Sequence, residues 1–169
     1  MISVEEAKRI IEHTIPIGKV EHRSLSECVG YIAARSVKSP MSSPPFVQSA
    51  MDGYAFCFSD LQSSNSFELQ GIIQAGETSE FVLEKGKCFR IFTGAPIPAQ
   101  ADTVIMQEHC EIIENKIRFQ NSQLVEGANV RPLGSQVKVG EEFLKAGVQL
   151  TPGIIGYLAT LGIKEIDVY

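Results

Sequence analysis

Apolar residues at Val4, Ala7, Ile10 and Ile11, with Thr14 extending the row, recur at the three-and-four spacing of one helix face. Ser3 followed by Glu6 forms a capping box at the start of this helix, and Pro16 sets its limit. A second stripe, Ile154, Ile155, Leu158 and Leu161, lies near the other end of the chain. There Thr151 is a suitable N-cap, Pro152 occupies the first helical position and Gly162 follows the last turn. Ser24 and Glu27 suggest a further short helix that Gly30 closes, and residues 31–37 fit strand or helix equally well. In the middle of the chain the periodicity changes. Glycine and turn residues recur roughly every 8–12 positions from about residue 46 to 145, the spacing of short strands in a small barrel or sandwich. Residues 110–119, CEIIENKIRF, read as a hairpin turning near Asn115. Phe89, Ile91, Val104 and Met106 are core candidates, and residues 163–169 start a linker strand.

The join between the two patterns is SPMSSPP at residues 39–45. Each proline fixes its own φ and restricts the residue before it, so this stretch is extended and turn-rich, as a crossing between domains would be. The predicted fold class is therefore α+β. A discontinuous helical domain (residues 1–43 and 146–169) carries an inserted all-β, barrel-like domain (residues 44–145). The two helical ends are expected to pack together, because each has an apolar face and neither is long enough to be stable alone.

Composition narrows the function classes. With 44% hydrophobic and 21% charged residues the chain has the make-up of a soluble globular protein. The net charge of -5 argues against a nucleic-acid partner, although a local Lys and Arg cluster could still bind an anion. Cys28, Cys57, Cys88 and Cys110 contain no C-x-x-C pair, so the expectation is four free thiols rather than a zinc site. No apolar run approaches a membrane span and the N-terminus is not a signal peptide, which points to the cytoplasm. His13, His22 and His109 have neither metal-ligand spacing nor a catalytic pattern around them.

Two segments carry candidate chemistry. In PPFVQSAMDGYA, residues 44–55, Asp52-Gly53 is a turn signal that presents a carboxylate with little steric cover. Such an Asp can hold Mg²⁺, orient water or accept hydrogen bonds; the plain alternative is a turn and nothing more. In RIFTGAPIP, residues 90–98, a strand runs into a turn stiffened by two prolines. Amides of such a turn, Gly94 among them, can converge on an anion with the Thr93 hydroxyl; the plain alternative is a rigid connection. Arg131 could add a positive fork, or simply form a surface ion pair. Ser49 is read as fixing the turn around Asp52, and Tyr54 as packing.

In order and spacing, SAMDGYA (49–55), GETSE (76–80), FRIFTGAPIPAQADTVIMQE (89–108), GANVRPLG (127–134) and the closing TPGIIGYLATLGIKEIDVY resemble the molybdopterin molybdenumtransferases, the MoeA family. The resemblance implies an L-shaped homodimer that inserts molybdate into adenylylated molybdopterin with Mg²⁺ and releases AMP. Its cleft is shared between subunits, and molybdopterin adenylyltransferase is a pathway partner. It implies catalytic roles for Asp52 and Thr93; the chemistry of the residues themselves makes Asp52 the candidate Mg²⁺ ligand and Ser49, Gly94 and Arg131 the candidate substrate contacts. It also implies third and fourth domains beyond Tyr169, without which this stretch is inactive. Two places depart from the family pattern, Val47-Gln48 and Ser135-Gln136, where many members carry acidic residues. The other reading is a non-catalytic dimerisation or binding module of the same architecture.

Overall fold

The computed structural model describes residues 2–114, 116–120 and 123–169. Along the chain lie α1 (Val4–Thr14), β1 (Glu21–Ser24), β2 (Val37–Lys38), β3 (Gln48–Ser49), β4 (Gly53–Phe56), β5 (Ser66–Ile73) and β6 (Lys87–Ile91). These are followed by β7 (Thr103–Met106), β8 (Cys110–Ile113), β9 (Lys116–Phe119), β10 (Val130–Arg131), β11 (Glu142–Leu144), α2 (Pro152–Thr160) and β12 (Glu165–Val168). The fold is α+β. The chain divides into two compact units, Met1–Pro40 with Val139–Tyr169, and Met41–Lys138.

The unit built from both chain ends holds the two helices. Both N-caps act as their sequences require: the Ser3 hydroxyl accepts from the Glu6 amide at 3.1 Å, and Thr151 Oγ1 accepts from the Ile154 amide at 3.3 Å. The box at Ser24 does not form. The Ser24 hydroxyl meets Ser26 instead, at 3.1 Å, and the segment is a single 3-10 turn, Leu25–Glu27. Strand pairing contributes more than the sequence pattern suggests. β1 runs antiparallel to β12, from Glu21 opposite Val168 to Ser24 opposite Glu165, and β2 pairs with β11. The expected linker at the end of the chain is thus a core strand, with Ile166 and Val168 buried beside Leu25, Leu150 and Leu158. α1 does not pack as expected: it buries none of its residues, and Val4, Ile10 and Ile11 stay exposed.

The second unit contains a curled, half-barrel-like mixed sheet in the order β7-β4-β6-β5-β9-β8. Among the described residues no ladder joins β7 to β8, so the sheet is open and the barrel-like expectation is corrected to that extent. Its single parallel pair is β5 with β6, and the connection between them, residues 74–86, is long enough for the required crossover. β8 and β9 form the expected hairpin; its turn at Asn115 lies outside the described residues. Both faces of the sheet are covered. Tyr54 and Phe56 point into one cluster with Phe67, Cys88, Ile105, Ile117 and Phe119, whereas Ala55 points into another with Ile73, Phe89, Ile91 and Val104. All four residues of β4 are therefore buried. All four cysteines are free, as expected. No helix among the described residues is long and apolar enough to cross a membrane.

Candidate functional site

The two motif segments, about forty residues apart in sequence, are zipped together by backbone hydrogen bonds. Ser49 N donates to Ala95 O at 2.9 Å, Gly94 N to Ser49 O at 2.9 Å, and Ile97 N to Val47 O at 3.1 Å. The GANVRPLG segment closes on the other side of β3. Val130 and Arg131 pair with Ser49 and Gln48, and Ala50 N donates to Asn129 O at 2.8 Å. Asn129 adopts φ +58°, which asparagine tolerates, and its side-chain amide donates to Val104 O at 2.9 Å. Three separate motifs thus form one surface, with Asp52 on the bend leading into β4.

That bend is anchored below and above. Ser49 is fully buried, and its hydroxyl donates to Met51 O at 2.6 Å while accepting from Met51 N at 3.3 Å. Gly53 lies in β4 rather than in a turn. A Cβ there would stand 1.9 Å from Ile105 O, so glycine is required by the approach of β7 and not by its turn propensity. Gln107 N donates to the Asp52 carbonyl at 3.1 Å.

The Asp52 side chain meets Thr93. Its Oδ1 accepts both the Thr93 amide at 2.8 Å and the Thr93 hydroxyl at 2.9 Å. These two bonds, the amide first, hold the Asp52 carboxyl below the usual carboxylate range, and the Arg90 charge adds to the effect. Oδ2 carries no hydrogen bond among the described residues, and Asp52 is half-exposed. The site thus presents an ionised carboxylate with one oxygen fixed and one open.

Other expected roles change. The TGA turn has no amide free for an external anion: Thr93 N is taken by Asp52, Gly94 N by Ser49 O, and Ala95 N by Phe92 O at 3.0 Å. Gly94, an expected substrate contact, ties β3 to the turn through its amide; its φ of +86° explains the glycine. Ser49 braces the bend from within, fully buried with its hydroxyl bonded to Met51 as both donor and acceptor. Arg131 is exposed and, among the described residues, forms no ion pair. GETSE is a surface turn in which the Ser79 hydroxyl donates to Glu77 at 3.0 Å.

Sequence reasoning missed Arg90. It stands opposite Tyr54 in the β4–β6 register and lies over the rings of Tyr54 and Phe92, 5.4 and 4.7 Å from their centroids. Its guanidinium donates to the carbonyls of Gly53 at 2.8 Å and Ile91 at 3.1 Å, and to the Gln107 side chain. No spacing rule reveals these partners, since they depend on strand register. Among the described residues no group of three or more His, Cys, Asp or Glu side chains could hold a metal ion by itself.

The chain matches the family described as MoeA N-terminal region (domain I and II) over residues 2–162. It is 35% identical over 170 residues to the molybdopterin molybdenumtransferase of Haemophilus influenzae, covering 100% of this chain and 42% of that protein. The enzyme of the same name from Staphylococcus epidermidis is 33% identical over 174 residues, covering 99% and 41%. A crystal structure of a molybdopterin biosynthesis MoeA protein from Pyrococcus horikoshii superposes with a TM-score of 0.87 at 30% identity, over 97% of this chain and 44% of that one. A second structure of such a protein from the same source gives 0.78 at 28% identity, over 99% and 44%. The chain therefore spans about 42% of the length of the curated relatives it matches. Motifs, fold and relatives agree, and the chain belongs to the MoeA N-terminal region family.

Proposed function

We propose that this chain acts in molybdenum-cofactor biosynthesis, as the part of a molybdopterin molybdenumtransferase that brings Asp52 to the reaction. The reaction inserts molybdate into adenylylated molybdopterin and releases AMP, in the cytoplasm, on a substrate delivered by molybdopterin adenylyltransferase. The observation that carries the reading is the Asp52–Thr93 contact, in which two motif residues meet and leave Oδ2 open.

The chemistry follows from the charge of that oxygen. A bare carboxylate repels molybdate and phosphate, so it is useful beside such substrates only with a cation between them. Mg²⁺ fits this demand. It commonly takes one or two carboxylates and completes its shell with water and substrate phosphates, as a site with a single free acidic oxygen requires. Asp52 would hold it, and the ion would neutralise charge developing on the transferred oxygens. Thr93 keeps the carboxylate ionised and aimed, while Ser49 and Gly94 stiffen the bend beneath it. Arg131, exposed opposite Gln48 and without an ion pair among the described residues, would meet an anionic substrate. A further part of the pocket would come from third and fourth domains and from a second subunit of a homodimer.

The test is AMP release from adenylylated molybdopterin, molybdate and Mg²⁺, with this chain joined to the remaining domains of a relative. Asp52→Ala should lower the rate by about 100-fold, the scale of removing one preorganised charge-stabilising group. Unchanged turnover would sink the reading, as would robust turnover by the 169-residue chain alone. A second reading, a non-catalytic assembly module, is favoured by one observation, the exposed apolar face of α1. It expects full activity from Asp52→Ala and loss of self-association when that face is made polar.

A further inference from the structure

We propose that Arg90 is a positioning residue for Asp52, gripping both backbone segments from which that residue is held and so fixing the direction of its open oxygen. The inference rests on the reading of Asp52 as the acting group.

The partners of Arg90 support this over plain packing. One is the carbonyl of Gly53, the residue directly after Asp52. Another is the side chain of Gln107, whose backbone N–H donates to the carbonyl of Asp52. The third is the carbonyl of Ile91, two residues before Thr93. Every acceptor is therefore one or two residues from Asp52 or Thr93, or is bonded to Asp52. The Gln107 amide group is itself oriented by Glu108, 3.3 Å away, which turns its oxygen toward Arg90. The guanidinium carbon also lies over the Tyr54 and Phe92 rings, two further contacts that confine it beside these acceptors. A planar fork can serve several acceptors at fixed angles, and an ammonium on a flexible stem cannot, so lysine would be a poor replacement. The two carbonyl bonds are part-buried, which strengthens them relative to water, whereas the Gln107 bond is exposed.

The experiment is hydrogen exchange followed by NMR on the 169-residue chain, with Arg90→Lys and Gln107→Leu as variants. The second removes only an exposed anchor, so folding is not at risk. Both should speed exchange of the Thr93 amide by about tenfold, as expected when a local opening becomes easier, with amides of β5 and β9 unchanged. Unchanged Thr93 exchange in Gln107→Leu overturns the proposal, whatever Arg90→Lys does. Equal loss of protection across the whole sheet overturns it too, since that marks a structural role. Exchange at Thr93 reports positioning whether or not Asp52 takes part in metal insertion, whereas Asp52→Ala turnover reports the role of Asp52, so the two failures are distinguishable.

Discussion

At the scale of single residues, Thr93 directs two donors at one oxygen of Asp52, and both favour the ionised form. The folded-state pKa is thus lower than the unfolded one. Stability from this contact is present above the ordinary carboxylate range and is lost as pH falls through the folded pKa. Thr93→Val keeps the amide donor and removes the hydroxyl. It should destabilise the chain near neutral pH, and the gap from the parent should close as Asp52 becomes protonated. Urea titrations at several pH values check this; a gap that widens in acid would contradict it. The sequence singled out Asp52 and Thr93 separately. It could not show that the Thr93 donors face Asp52 rather than a bound anion, because that depends on β3 lying alongside the TGAPIP turn.

At the scale of elements, β4 organises the unit. It is paired on both sides and sends alternate residues into two cores. In one of them Phe67 and Phe119 stack at 4.5 Å, and Phe56 meets them edge-on or tilted at 4.7 and 5.2 Å. Phe56→Ala removes one of three mutually contacting rings and leaves a cavity in a fully buried place. The expected loss is about 3–5 kcal/mol in chemical denaturation. A loss under about 1 kcal/mol would mean that the site collapses far better than such cores usually do. The Asp52-Gly53 dipeptide is a turn signal in sequence, yet half of that signal has another origin. Asp52 lies on the bend, but Gly53 is a strand residue kept bare by the Ile105 carbonyl. The same letters serve a tight approach of two backbones, which only the register of β4 on β7 discloses.

At the scale of the whole molecule, α1 has a well-formed cap and a clear apolar stripe, but among the described residues that stripe stays exposed. Packing is what ordinarily stabilises a helix of this length, so a covering surface from outside the chain would suit it. Ile11→Lys, on an exposed position, should change the stability of the isolated chain by less than about 0.5 kcal/mol. In the assembled transferase proposed above, it should weaken self-association, which analytical ultracentrifugation would detect. A large stability loss in the isolated chain would show instead that α1 is already packed. His22 is a smaller pH-sensitive feature. Asp167 and then Glu165 raise its pKa across the β1–β12 pair, so that support is complete in acid and fades as pH rises through the folded value.

Local signals alone specified both helices and their caps, the hairpin at residues 110–119, and the motif residues that group the chain with its relatives. Caps and hairpins involve neighbours a few positions apart, so their physics is written in short stretches of sequence. Tertiary structure alone decided that the closing strand belongs to a core, that the sheet is open among the described residues, and that Gly94 and Ser49 brace the bend beneath Asp52. It also decided that Arg90 sits among the partners of Asp52. Those outcomes depend on which distant backbone groups satisfy one another, and hydrogen-bond partnership between strands far apart in sequence is set by register, which no local pattern encodes.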